Sequence, residues 1–316
     1  MKPILSLSTC WCSSRHQDGY EMLKEMAGLG FEWVELSHGI RITLVPGILR
    51  AVEEGVVKVS SCHNFCPLPT GVSHAAPNLY VPTARDRRER EQWLRQSKRS
   101  VDFARQVGAK KLVLHLGAVE FFWFNPDHKV ARRHAALAGR PAAEDAAYRK
   151  MLEGVLSNVR GRQTVFRDNL RAGLQALLPY AAEKGVTLGF ENRESLSELP
   201  MDADFPALLA ELPAGAPAGY WHDTGHAHLK ESLGVINHRE HLAQNAGRAV
   251  GFHLHDVDGG GHDHQPVGTG RVDFGMVAEF WCAVHTLVIE LSPRVSPADV
   301  AASRLKVEAL IAKRFG

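Results

Sequence analysis

The sequence carries almost no excess of charge: 37 lysines and arginines stand against 35 aspartates and glutamates, +2 with histidine neutral. That balance offers no electrostatic footprint for a nucleic acid or an anionic membrane, so neither is an expected partner. No run of about 18 apolar residues occurs, which argues against a transmembrane helix. The opening stretch MKPILSLSTCWCSSRHQDG has one lysine and an apolar segment too short for a secretory signal, so the expected location is cytoplasmic. Cysteine is scarce and odd in number, five in 316 residues, which favours reduced thiols over a disulfide framework. A Ser/Gly/Pro-rich linker is also missing. One domain spanning residues 1–316 around one large core is therefore expected.

What is present is a strand-then-helix rhythm. Apolar strand-like runs occupy residues 4–9, 33–37, 56–61, 111–117, 186–191, 218–223, 249–255 and 286–291. Helical stretches lie between them, including 18–29, 44–53, 83–107 and 164–184, and a last one over 297–314 closes the chain. Strands separated by helices imply parallel pairing, and continuous rather than alternating apolar runs imply burial on both faces. Eight such units in a chain of this length point to an α/β fold closed as a single (β/α)8 TIM barrel. An open doubly wound sheet would call for a Gly-rich first turn, and STCWCSSRHQDG has no G-x-G-x-x-G pattern. Two connections are long, about 64–82 and 118–162, and long loops in compact domains tend to be lids or binding elements.

In this fold the C-terminal strand ends carry the active site. Glu191 ends GVTLGFE, Asp223 ends GYWHD, His253 lies in VGFHLHD and Glu290 in TLVIEL. Burying a lone charge costs several kcal/mol unless it is paired or bound to a cation. Four charged or imidazole ends on successive strands therefore suggest one shared divalent metal; internal salt bridges at the rim are the plainer alternative. Histidine, at 17 residues, is the outlier of the composition, and it clusters at the same places. His38 and His63 follow strands two and three, His115 lies in strand four, His226 stands three residues beyond Asp223, and His255 shares a strand face with His253. Asp256 begins a Gly-rich loop that carries His262, Asp263 and His264.

The series GFENR, HDTGHAH, HLHD, then His264, Pro266, Gly268 and Gly270 followed by VDF, then IELSP, resembles the xylose isomerase-like TIM barrel superfamily. That group holds sugar and sugar-phosphate isomerases and epimerases, inosose dehydratases and endonuclease IV. The resemblance implies Glu191, Asp223, His253 and Glu290 as metal ligands, and His226 beside the substrate or a second metal. It implies Glu191 and Glu290 as bases on opposite substrate faces, moving a proton through an enediol(ate), with His226 as a third catalytic group. The expected substrate is a sugar, a sugar phosphate or a related polyol or keto compound. Mixed carboxylate and imidazole ligation suits manganese or zinc, with cobalt, iron or magnesium as alternatives.

The rival implied by the same resemblance is an endonuclease IV-like multi-zinc hydrolase acting on a small substrate or phosphodiester. In that pattern His63, His115, His226 and His264 would bind further metal or substrate. Where that pattern has an Asp two residues before the loop His, this chain has His262, so a third metal would lose an anionic ligand. A non-catalytic ligand-binding barrel is the third reading. His255, Asp256 and His262 are expected to fix the loop or to orient ligands rather than to bind metal. The run Phe121-Phe122-Trp123-Phe124 could stack on a substrate or bury against a second subunit of a homo-oligomer.

Overall fold

A computed structural model describes residues 1–123 and 125–316. Eight parallel strands close into one barrel in sequence order: β1 (Ile4–Ser8), β2 (Trp33–Leu36), β3 (Lys58–His63), β4 (Lys111–Leu114), β5 (Thr187–Glu191), β6 (Ala218–Asp223), β7 (Ala249–Leu254) and β8 (Thr286–Ile289). The helices lie outside, so each strand is covered on both faces, and all six residues of β6 are buried. This is why the strands read as unbroken apolar runs.

Side chains two apart on a strand share a face, and the inward-facing ones fill the barrel in layers. At the N-terminal end the Lys111 ammonium donates to the Val250 carbonyl (2.7 Å), the Val284 carbonyl (3.0 Å) and the Thr286 hydroxyl (2.9 Å). Above it Trp221 occupies the middle of the barrel with Val113 and Val288. The indole fits because its strand neighbours have no side chains. A Cβ on Gly189 would lie 2.8 Å from the Trp221 side chain, and one on Gly251 would lie 2.2 Å from it. With these two layers filled, the polar residues lie above them at the C-terminal end.

The helices begin where the local chemistry stops the backbone from continuing as loop. Asp18 accepts from the Tyr20 amide at 2.6 Å and starts the helix Gly19–Gly28. The helix after β3 runs Arg87–Gln106 and not from residue 83: Asp86 caps it through the Arg88 amide, while the Thr83 hydroxyl accepts from the Ala118 amide at 3.0 Å. The segment 118–162 is also more ordered than a loop, since it holds the helices Pro126–Ala135 and Ala146–Arg162, capped by Asn125 and Asp145. These pack on their own small core of Val130, Tyr148, Leu152 and Val155. Of the aromatic run, Phe121 packs beside Val119 and Phe166, whereas Phe122 and Trp123 are exposed; Phe124 lies outside the described residues. All five cysteines are free. Among the described residues no helix is long and apolar enough to cross a membrane.

Candidate metal centre and active site

Strands β5 to β8 are neighbours, so their C-terminal ends deliver Glu191, Asp223, His253 and Glu290 to one place. One ligand atom from each lies within 4.8 Å of every other, and all four residues are buried. The centre of the group is His253 Nδ1, at 3.0 Å from Glu191 Oε1, 3.1 Å from Glu290 Oε2 and 3.9 Å from Asp223 Oδ2. The other ring nitrogen, Nε2, donates to Glu35 at 3.1 Å. Glu35 is fully buried on β2, where the hydroxyls of Ser8 (3.1 Å) and Ser61 (2.8 Å) also donate to it. A carboxylate on Nε2 fixes the ring and leaves Nδ1 facing the cluster, the arrangement that orients a histidine toward a cation.

Glu35 did not stand out in the sequence, although WVEL offers the same signal as the other strands, a carboxylate inside an apolar run. Arg193 was missed as well. Its guanidinium lies 3.5 Å from Glu191, 2.9 Å from Glu194 and 3.2 Å from Glu198, and it packs against the His226 ring. The only advance sign of it was its place in GFENR, two residues past Glu191.

His63 and His115 both meet Glu191 Oε2, at 3.3 and 2.8 Å through Nε2. Each gives its Nδ1 proton elsewhere: His63 to the Asn64 carbonyl at 3.1 Å, His115 to Asn78 at 2.9 Å. Burial, with Arg193 nearby, pushes His115 down to about 3, so the ring is neutral. Its Nε2 is then a lone pair facing a carboxylate oxygen, and it is buried without a hydrogen-bond partner. Two acceptors set against each other repel unless a cation lies between them.

The remaining histidines divide. His226 donates through Nδ1 to the Asn192 carbonyl at 3.0 Å, and its Nε2 faces Glu194 (3.2 Å) and Asp263 (3.8 Å). His264 lies stacked on His255 at 4.2 Å, 3.0 Å from Asp263 and 4.0 Å from Glu290. The His264 amide donates to His255 Nδ1, which leaves the His255 proton on Nε2, aimed at Asp223 Oδ2 at 2.9 Å. His255 therefore holds Asp223 in place, and it can come this close only because residue 225 is glycine: a Cβ there would lie 2.1 Å from the His255 ring. Asp256 accepts from the amides of Val257, Gly270 and Val272 and ties the loop down. His262 is exposed and paired with Asp258 at 2.9 Å, away from the cluster.

The electrostatics ask for positive charge. Burial raises the carboxyl of Glu191, but the Arg193 guanidinium and the protonated His253 imidazole outweigh it and hold the group well below the usual carboxylate range. Asp223 and Glu35 are lowered in the same way, against their burial, by facing imidazoles. Burial opposes protonation of His253, yet Glu290, Glu35 and Glu191 together raise it well above an ordinary histidine. Four buried carboxylates, Glu35, Glu191, Asp223 and Glu290, thus face the His253 imidazolium, a guanidinium that Glu194 and Glu198 already share, and the His264 ring that Asp263 already holds. A divalent cation would correct that imbalance, and the donor set suits one.

A cleft of about 360 Å³ opens beside the cluster, lined by Glu290, His264, His38, Arg41 and His74 among others.

The sequence profile of xylose isomerase-like TIM barrels matches residues 23–280. Among solved structures, 3-keto-D-glucoside 4-epimerase from E. coli is similar at 16% identity, covering 98% of this chain and 100% of that one, with a TM-score of 0.67. L-ribulose 3-epimerase is similar at 13% identity, 99% and 96% coverage and a TM-score of 0.68. D-allulose 3-epimerase from Methylomonas sp., in complex with D-allulose, is similar at 14% identity, 99% and 98% coverage and a TM-score of 0.65. No curated protein sequence matches the chain. At these identities the likeness to the solved structures establishes the architecture, and the chemistry has to be argued from the site.

Proposed function

Because the chain belongs to the xylose isomerase-like TIM barrel family, we propose that it is a divalent-metal-dependent isomerase or epimerase of a sugar, a sugar phosphate or a related polyol or keto compound. The observation that carries this reading is the convergence of Glu191 and Glu290 with Asp223 and His253 on one buried point beside a cleft. Simple binding does not require two carboxylates beside the ligand position; moving a proton at carbon does. The likeness to barrels described as sugar epimerases adds to it.

Glu191, Asp223, His253 and Glu290 would hold the cation, which supplies Lewis acidity to the substrate carbonyl oxygen. The chain's own residues do the rest. Glu191 and Glu290 project from non-adjacent strands, β5 and the end of β8, and so can meet opposite faces of a substrate lying between them. One removes the proton from the carbon next to the carbonyl, giving an enediol(ate), and the other returns a proton from its side. Glu191 stays ionised because the Arg193 guanidinium and the His253 imidazole stand beside it. His226, with Nδ1 fixed on the Asn192 carbonyl, presents Nε2 to a substrate oxygen.

The test is proton exchange. Incubating the metal-loaded protein with a panel of ketoses and inososes in deuterated water should place deuterium at the carbon next to the carbonyl of the true substrate. Glu191→Gln and Glu290→Gln should each abolish exchange. Release of two products without carbon-bound deuterium would overturn the reading in favour of hydrolysis, as would two or three bound ions about 3.5–4 Å apart.

A further inference from the structure

We propose that the cleft selects a substrate with a terminal anionic group and that Arg41 binds that anion. The proposal rests on the isomerase reading, whose substrate it narrows. Arg41 lines the same cleft as Glu290 and His264. Its Nη2 donates to the backbone carbonyls of Ser13 (3.4 Å) and His16, which fixes the guanidinium in position. Its Nε is enclosed and has no hydrogen-bond partner. Among the described residues no carboxylate forms an ion pair with it.

The other charges of the cleft are already engaged. Asp263 lies 3.0 Å from His264, and Glu290 lies 3.1 Å from His253. Arg41 is thus a positioned cation without a counter-charge, and an enclosed unpaired donor is unfavourable until something accepts from it. The neighbouring wall adds Ser13, Ser14, Ser73 and His74, whose hydroxyl and imidazole groups can donate. A guanidinium with hydroxyls beside it matches a phosphate or a carboxylate, which pairs with the charge through the N–H groups that Ser13 and His16 leave free; a sugar hydroxyl cannot use the charge. Direction follows from the charges. The carboxylate cluster repels an anion, so the carbonyl end of the substrate lies toward Glu290 and the anionic end toward Arg41.

The experiment compares the metal-loaded wild type with Arg41→Met and Arg41→Lys on three matched substrates: a ketose, its terminal phosphate ester and its terminal uronic acid. Wild type should favour one anionic form over the neutral ketose by about tenfold or more in kcat/KM. The ester and the acid arms show which anion is meant. Arg41→Met should erase that preference and Arg41→Lys should restore part of it. If Arg41 only holds the Ser13–His16 segment, neutral and anionic substrates will lose rate together, and an unchanged ratio overturns the proposal. Equal wild-type rates on all three overturn it too.

Calorimetric titration with inorganic phosphate and with acetate separates this proposal from the isomerase reading. Should no ketose exchange deuterium, the isomerase reading fails. Anion binding that is lost in Arg41→Met would still support the anion site, and binding that is equal in both proteins, or absent from wild type, would overturn it.

Discussion

Replacing Glu35 by Gln tests how the barrel orients its histidine. The carboxylate accepts from His253 Nε2 at 3.1 Å and from two serine hydroxyls, and it has no contact with the cleft. Glutamine keeps the shape and one acceptor but removes the charge that favours an Nε2–H tautomer. Loss of such a partner costs about 10–100-fold in metal affinity, or about 1.4–2.7 kcal/mol at ~1.36 kcal/mol per tenfold. A second effect opposes it. In the metal-free protein His253 is protonated well above the usual range: burial works against this, but Glu290, Glu35 and Glu191 outweigh it, so a cation must displace that proton. Removing Glu35 weakens the hold on the proton and makes the displacement easier. At low pH the two effects partly cancel; as pH rises and the competing proton leaves, only the lost orientation remains. Competitive titration of manganese and zinc at about pH 6 and about pH 9 should therefore show a deficit that grows with pH. Equal affinities of variant and wild type at both pH values, with unchanged circular dichroism, would refute the orienting role.

Three further outcomes follow from the packing and the charges. Trp221→Ala should empty the middle of the barrel between Gly189 and Gly251 and cost about 3–5 kcal/mol in urea unfolding; a loss under about 1 kcal/mol would mean the neighbouring strands collapse into the space. Gly225→Ala should force the His255 ring, 2.1 Å from the new Cβ, away from Asp223, cost about 1–3 kcal/mol and weaken metal binding, and wild-type affinity in that variant would count against His255 as the group that holds Asp223. His264 titrates the stability of the metal-free protein: burial alone would lower it, but the Asp263 hydrogen bond and the Glu290 charge raise it to about 9. A histidine with a raised folded pKa contributes fully below its unfolded value near ~6.5 and loses that contribution as pH rises through about 9. With about a third of the side chain exposed (31%), solvent screening reduces the contribution to about 1–2 kcal/mol. The gap in unfolding free energy between wild type and His264→Ala should shrink between about pH 6 and about pH 10, and a pH-independent gap would contradict the assignment.

The barrel was legible in the chain because its evidence is local. Runs such as AGYW in β6 and LVI in β8 are continuously apolar, which needs two covered faces, and helices between them leave parallel closure as the economical solution. The rule that strand ends share one rim then located Glu191, Asp223, His253 and Glu290 without any coordinates. The two helices inside 118–162 were not legible, because they are held by Asn125 and Asp145 caps and by a small core assembled from distant parts of the segment.

The same limit applied at the rim. Glu35 looked like any carboxylate near a strand end until the closed barrel set it against His253, 218 residues away, and Arg193 gained its meaning only by facing Glu191, Glu194 and Glu198 together. Which ring nitrogen of His253, His255 or His115 carries the proton was likewise a tertiary decision, made by Glu35, by the His264 amide and by Asn78. Periodicity is written by near neighbours in the chain, so sequence alone determined the strands and the rim positions. Charge pairing and tautomer depend on what stands opposite across the barrel, and closure of the barrel decided those.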